Sequence, residues 1–225
     1  MGFRTGFVIV SVAFLYGVLF ITSIYDFPLL YTEYGPRDVD AAERFYLTLY
    51  NGPTAISALL HGMIGLGIMG LLAKLHRWTE MAKWFDGASL ALLMGSIGMY
   101  GGVQVPNIRL LSDPSNESLI LRSSIRTQRE NYIKSRVDAG FMTREQAEGT
   151  PLGYPLSADE RESALRILAA GNTIVMLLLA GVVLMQASEW WLERSERIEA
   201  DQKREREMKE LGVGAGSASG KSKAE

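Results

Sequence analysis

The chain alternates between stretches with no formal charge and stretches crowded with it, and this constrains its fold more than anything else. Thr5–Tyr25, the residues between Arg44 and Lys74, those between Asp86 and Arg109, and Ile167–Ser188 carry no Asp, Glu, Lys or Arg. Helices of a soluble bundle keep charges on their outer faces, whereas about 20 uncharged residues suffice to cross a hydrocarbon core of about 30 Å. The pattern therefore predicts an all-α fold, a four-transmembrane-helix bundle with spans at about 6–24, 54–73, 87–105 and 165–188. The mean hydropathy of +0.08 averages very apolar blocks with very polar ones and hides this division. The second and third spans are joined by the short charged segment Lys74–Asp86, so they are antiparallel neighbours.

The first span starts close to the first residue, as a cleaved signal peptide would. Its apolar run is longer than an ordinary signal core and no small-x-small site comes after it, which favours a retained helix. Tyr25-Asp26-Phe27-Pro28 ends the run. An acid among aromatic rings suits the headgroup zone, and Pro28 should stop the helix there. In the loop 25–53, Asp40 and Glu43 are spaced as a capping pair, which predicts a short helix over 41–50 closed by Asn51-Gly52. Pro53 suits the first turn of the second span.

The second span contains Gly62, Gly65, Gly67 and Gly70, and the third Gly95, Gly98, Gly101 and Gly102. The string Gly65-Leu66-Gly67-Ile68-Met69-Gly70 has the spelling of a dinucleotide fingerprint but no strand precedes it, so that match is discarded. Glycines at helical spacing in a membrane let another backbone approach closely. Gly62, Gly65, Gly70, Gly95, Gly98 and Gly102 are the candidate packing face. The two glycine faces either meet each other, which is the plainer expectation, or stay available to a helix of another protein.

The insertion 106–163 is polar. Asp113-Pro114 resembles a helix start, Leu119, Ile120, Ile125, Tyr132, Ile133 and Val137 form a ragged apolar stripe, and Ala139-Gly140 ends it. Thr143 with Gln146, and Ser157 with Glu160, have capping-box spacing. Asn116-Glu117-Ser118 spells a glycosylation sequon. Beyond Trp190-Trp191, residues 189–225 form a charged tail. Its first part continues the fourth helix through i,i+4 pairs, and its last dozen residues are expected to be flexible.

Lys74, Arg77 and Lys83 make the connection between the second and third spans basic, whereas the loop 25–53 has two basic residues and an acidic surplus. Positive charge in short loops faces the cytosol. The expected topology has both termini cytosolic and both larger loops luminal. Lys221 and Lys223 then stand at the fifth and third places from a cytosolic carboxyl end. This is the K-x-K-x-x spacing of a retrieval signal for the COPI coat on endoplasmic-reticulum residents.

No reacting constellation is present. The chain has no cysteine and two histidines, His61 and His76, and lacks H-E-x-x-H, G-x-S-x-G and paired intramembrane acids. No cofactor, metal or nucleic-acid site is expected, and the bilayer is the one certain surrounding. His61 is the one strongly ionisable group at depth, with Asn172, Ser89 and Ser96 as its candidate partners. A small channel or transporter subunit, with His61 and Asn172 along a path, is the alternative to a partner-binding protein. A lipid enzyme using Asp26 or Asp86 is a weaker third reading.

Phe85-Asp86-Gly87-Ala88-Ser89 at the third span, Tyr25-Asp26-Phe27 at the end of the first, and the glycine run ending in Lys74-Leu75 resemble the fungal Shr3 family. The resemblance covers 6–188, and the insertion 106–163 is longer than the family pattern. It implies an endoplasmic-reticulum membrane chaperone for amino-acid permeases, without catalysis, that promotes their loading into COPII vesicles. The tail would be the surface read by the coat.

Overall fold

A computed structural model of the chain describes residues 3–76 and 80–219. These are mostly helical, with no strand among them. Long helices are α1 (Phe3–Tyr31), α3 (Thr54–Leu75), α4 (Glu80–Met99) and α9 (Ala158–Ser219). Between them lie α2 (Pro36–Tyr50), α5 (Val105–Ser112), α6 (Glu117–Arg122), α7 (Ser124–Asp138) and α8 (Arg144–Glu148). Four helical stretches, Phe3–Tyr31, Thr54–Leu75, Lys83–Ser112 and Ala158–Lys209, are long and apolar enough to cross a membrane. α2 and α5–α8 gather at one end of the bundle, here called the cap end. The charged extension of α9 leaves from the other, the tail end.

The first, third and fourth spans are longer than their uncharged runs. α1 passes Pro28 and ends at Tyr31 rather than stopping there. Proline removes one backbone donor, but packing holds the final turn in place. Leu29 is buried with Ala42, Tyr46, Leu111, Leu165 and Leu168 in a core shared by α1, α2, α5 and α9. α2 starts earlier than the Asp40–Glu43 spacing predicts. Pro36 opens it, and the Asp38 carboxylate accepts the Gly35 N–H at 2.9 Å. Glu43 is instead turned inward and paired with Arg161.

The third span is continuous from Glu80 to Ser112 because a π-helical segment, Tyr100–Gln104, joins α4 to α5. Pro106 explains it. In an α-helix its ring would press on the carbonyl four residues back, that of Gly102, and widening the turn relieves the clash. The Val105 N–H accordingly reaches back five residues to the Tyr100 carbonyl.

At the cap end, Asp113 closes α5 rather than opening a helix, and Asn116 caps α6 by accepting from the Leu119 N–H. The Thr143–Gln146 and Ser157–Glu160 boxes form as expected. Gly140, at φ 77°, ends the turn after α7 in the left-handed region, where a Cβ is disfavoured. Ile120 and Ile125 are buried against Leu110, but Tyr132 is exposed, so only the first part of the predicted stripe is core. α9 runs on to Ser219, entering the Gly- and Ala-rich stretch expected to be flexible.

In lipid, burying one apolar side chain against another gains little over burying it against acyl chains. The helices are held by close packing and polar links. α1 packs tightly on α3. The Arg4 guanidinium donates to the Ala73 carbonyl at 2.6 Å, and Ser11 Oγ to the Met63 carbonyl at 2.6 Å. A Cβ on Gly67 would lie 2.6 Å from Ser11 Oγ, and one on Gly70 2.8 Å from a Val8 methyl. Gly70→Leu is therefore expected to force α1 off α3 and cost about 1–3 kcal/mol or more. Thermal unfolding of the purified variant in mild detergent measures this, with Gly65→Leu as the comparison that should unfold like the parent.

Candidate functional site

Three features stand out: a buried polar cluster near each end of the bundle and an apolar cleft between them. At the cap end, α1 supplies Asp26, α2 Tyr46 and α9 Asn172. The Tyr46 hydroxyl donates to Asp26 Oδ1, and Asn172 Nδ2 donates to Asp26 Oδ2 at 2.9 Å and to the Tyr46 oxygen at 2.7 Å. Gln104, at the end of the π-helical segment, donates to Asn172 Oδ1 at 2.5 Å. Asp26 is 3 % exposed. It is thus an interior link between three helices rather than a headgroup-zone residue. Burial first, and then the Asp26 carboxylate, push the Tyr46 phenol well above its ordinary value, so it stays a donor. The neighbouring Tyr25 ring stacks on Phe45 of α2 at 4.3 Å, fixing the entry of α2.

At the tail end, Lys74 from α3 lies between two carboxylates. Its ammonium is 2.7 Å from Asp86 Oδ1 of α4, contacts Glu189 of α9, and donates to Gln186 Oε1 at 2.7 Å. Gln186 Nε2 donates onward to Asp86 at 3.0 Å and Ser89 Oγ at 3.1 Å. Lys74, Asp86 and Glu189 are each under one-tenth exposed. The motif Phe85–Ser89 therefore marks a helix junction: Asp86 and Ser89 sit one turn apart on α4 and face α9 together. Lys74, which the charge pattern places among loop charges facing water, is a buried link. Arg77, grouped with it by that pattern, lies outside the described residues, as do Lys221 and Lys223.

The glycines divide into two groups. A Cβ added at Gly67 or Gly70 would meet α1, and one at Gly95 would lie 3.6 Å from a Leu178 methyl of α9. Around Gly62, Gly65, Gly98 and Gly102 an added Cβ would meet nothing within 4 Å. The glycine faces of α3 and α4 do not close on each other at these four positions. Asn116 is half-buried at the cap end. Its amide donates to Asp113 at 3.0 Å, and the Ser118 hydroxyl donates to its oxygen at 2.8 Å.

His61 does not join Asn172, Ser89 or Ser96. One ring nitrogen lies 2.6 Å from the Ser57 carbonyl and the other 3.4 Å from the Tyr100 hydroxyl. Ser96 donates to its own helix, at the Leu92 carbonyl. His61 and Asn172 both line the cleft, a cavity of about 430 Å³ among α1, α2, α3, α4, α5 and α9. Its walls are mostly Phe, Leu, Ile and Val, and both Asn172 N–H groups are already donated.

No group of three or more His, Asp or Glu among the described residues is arranged to hold a metal. The polar side chains instead fasten helices to one another. A family model described as "ER membrane protein SH3", that of the SHR3 chaperones, matches residues 1–225. The chain belongs to the SHR3 chaperone family. Searches of curated proteins and of solved structures return no match. As a member of this family the chain is a multi-pass membrane protein of the endoplasmic reticulum with a chaperone role.

The sequence carries one signal for the pairing of α9 with the other spans. Asn172, Gln186 and Glu189 are polar residues in or at the edge of its longest apolar run. Each pairs with a polar residue at the end of another span.

Proposed function

We propose that this SHR3 chaperone attends newly inserted amino-acid permeases, keeps their unpaired helices from aggregating, and promotes their loading into COPII vesicles. The observation that carries the client-binding part is the open glycine surface at Gly62, Gly65, Gly98 and Gly102. A partly assembled permease exposes helices with broken segments whose polar groups cost several kcal/mol each in lipid. A surface with no side chains standing on it lets such a helix approach to backbone distance, and without polar anchors the contact stays reversible.

In the proposed topology the tail end faces the cytosol, with both termini on that side, and the cap lies in the lumen. Asn116 is then within reach of the glycosylation machinery. The charged extension of α9 is the surface offered to the COPII coat. Lys221 and Lys223 return the protein through COPI.

The test is cellular. Cells lacking this protein should retain fluorescent amino-acid permeases in the endoplasmic reticulum while unrelated cargo leaves normally. Re-expressed parent protein should restore delivery. A Gly65→Leu/Gly98→Leu protein should accumulate to parental levels yet restore delivery several-fold less well. Normal permease delivery in the deletion strain would remove the client assignment, and full rescue by the double variant would remove the glycine surface from it.

A further inference from the structure

The cleft has one cation in its lining, Arg109, at the end nearer the cap. Along the third span Tyr100, Gln104 and Ile108 follow one another at four-residue steps, as do Val105 and Arg109 beside them, and all line the cavity. Arg109 stands at its cap-end mouth, three residues before α5 ends at Ser112. Its side chain is exposed and forms no hydrogen bond or ion pair with any described residue. Arg37, Arg44, Arg122 and Arg144 share this lack of a side-chain partner but do not line the cavity, whereas Arg126, Arg129, Arg136, Arg161 and Arg166 differ. Each of the latter has a carboxylate or an aromatic ring against it.

Beyond Arg109 lies an apolar slot walled by Phe14, Leu19, Leu60, Ile64, Ile97 and Leu179. At about 430 Å³ it falls within the range of ordinary ligand sites. An apolar void does not hold water, so inside a bilayer its natural filling is hydrocarbon. The polar mouth and the apolar slot together fit an amphiphile with an anionic head. Guanidinium prefers phosphate for geometric reasons, through paired N–H donors. Tyr50, which also lines the mouth, belongs at the headgroup level where amphipathic rings settle.

We propose that the cleft is a specific seat for one phospholipid of the surrounding bilayer, with an acyl chain in the slot and the phosphodiester on Arg109. The site is independent of the permease assignment, because it rests on the cavity and its cation and not on the glycine surface.

Native mass spectrometry of the full-length protein tests this, with phosphatidylinositol added in mild detergent and diacylglycerol of the same chains as the headless probe. The parent should retain one phosphatidylinositol and little diacylglycerol. Arg109→Gln should lower the retained fraction about tenfold, and Ile64→Trp, which fills the slot but spares the cation, should do the same. Arg126→Gln, on the exposed face of α7, should retain the lipid as the parent does. Retention by Arg109→Gln equal to that of Arg126→Gln would overturn the headgroup assignment. Undiminished retention by Ile64→Trp would overturn the seat, and equal retention of diacylglycerol would show a mere hydrophobic filling and overturn the proposal.

Discussion

Replacing Lys74 with Met should be the most damaging single change in the membrane-spanning part. The ammonium lies between Asp86 and Glu189, and each carboxylate is held within hydrogen-bond distance of it. Asp86 Oδ2 already has no partner among the described residues, so the site has little capacity to absorb a further loss. Without Lys74 two largely buried carboxylates remain beside one another with no cation between them. Breaking a buried pair by removing one partner typically costs about 3–5 kcal/mol, most of it the penalty on the charge left behind. The expected result is a large fall in unfolding temperature and, in cells, rapid degradation. Lys74→Met/Asp86→Asn should recover part of the loss, because the amide removes one stranded charge and still accepts from Gln186. An unchanged melting temperature for Lys74→Met would mean that the triad contributes nothing to holding α3, α4 and α9 together.

The second large effect is expected at Arg129. This side chain is 4 % exposed and ties the cap together. Its guanidinium makes two bonds of 2.6 Å to Glu160, donates to the Leu152 and Tyr154 carbonyls at 2.6 and 2.8 Å, and lies 3.5 Å from the centre of the Tyr154 ring. The bonds to Glu160 push its already high pKa further up, so it remains a cation at any pH at which the protein folds. Arg129→Met would leave the loop 149–157 without the donors that satisfy its carbonyls, since few regular backbone bonds form there. Loss of the buried pair should cost about 3–5 kcal/mol, confined to the cap. Limited proteolysis should then cut within 149–157, and amide protection of α7 should fall, while the spans stay protected. Arg129→Met/Glu160→Gln should be cut more slowly than the single variant. If α7 keeps its full protection in Arg129→Met, apolar packing of Ile120 and Ile125 alone holds the cap.

The span count and the order of helices were legible because charge-free runs of membrane length have few other interpretations. Caps were legible where the signal is local: Thr143 with Gln146, and Ser157 with Glu160, need only their own turn. What failed was everything depending on a distant partner. Asp26 and Lys74 stand at the ends of apolar runs, and a charge there looks the same whether it meets headgroups or another helix. Pro28 reads as a stop because local rules know nothing of Leu29 being buried beyond it. The glycines of α3 share one spelling, yet a Cβ on Gly70 would meet α1 while one on Gly65 would meet nothing within 4 Å. Side-chain contacts on the far helix decide between these, and no spacing along α3 encodes them.

α9 passes from the cap, through the bilayer and out at the far side without a break, and Glu160, Asn172 and Glu189 anchor it in turn to α7, to α1 with α2, and to α3. From Glu189 to Lys209 it projects about 30 Å at 1.5 Å per residue. Such a rod behaves as a lever pivoting on its last anchor. A tilt of about 5° at the bundle sweeps its far end through about 3 Å, given that length. Any tilt imposed on α9 where the cap holds it would reach its far end through the stiffness of the helix alone.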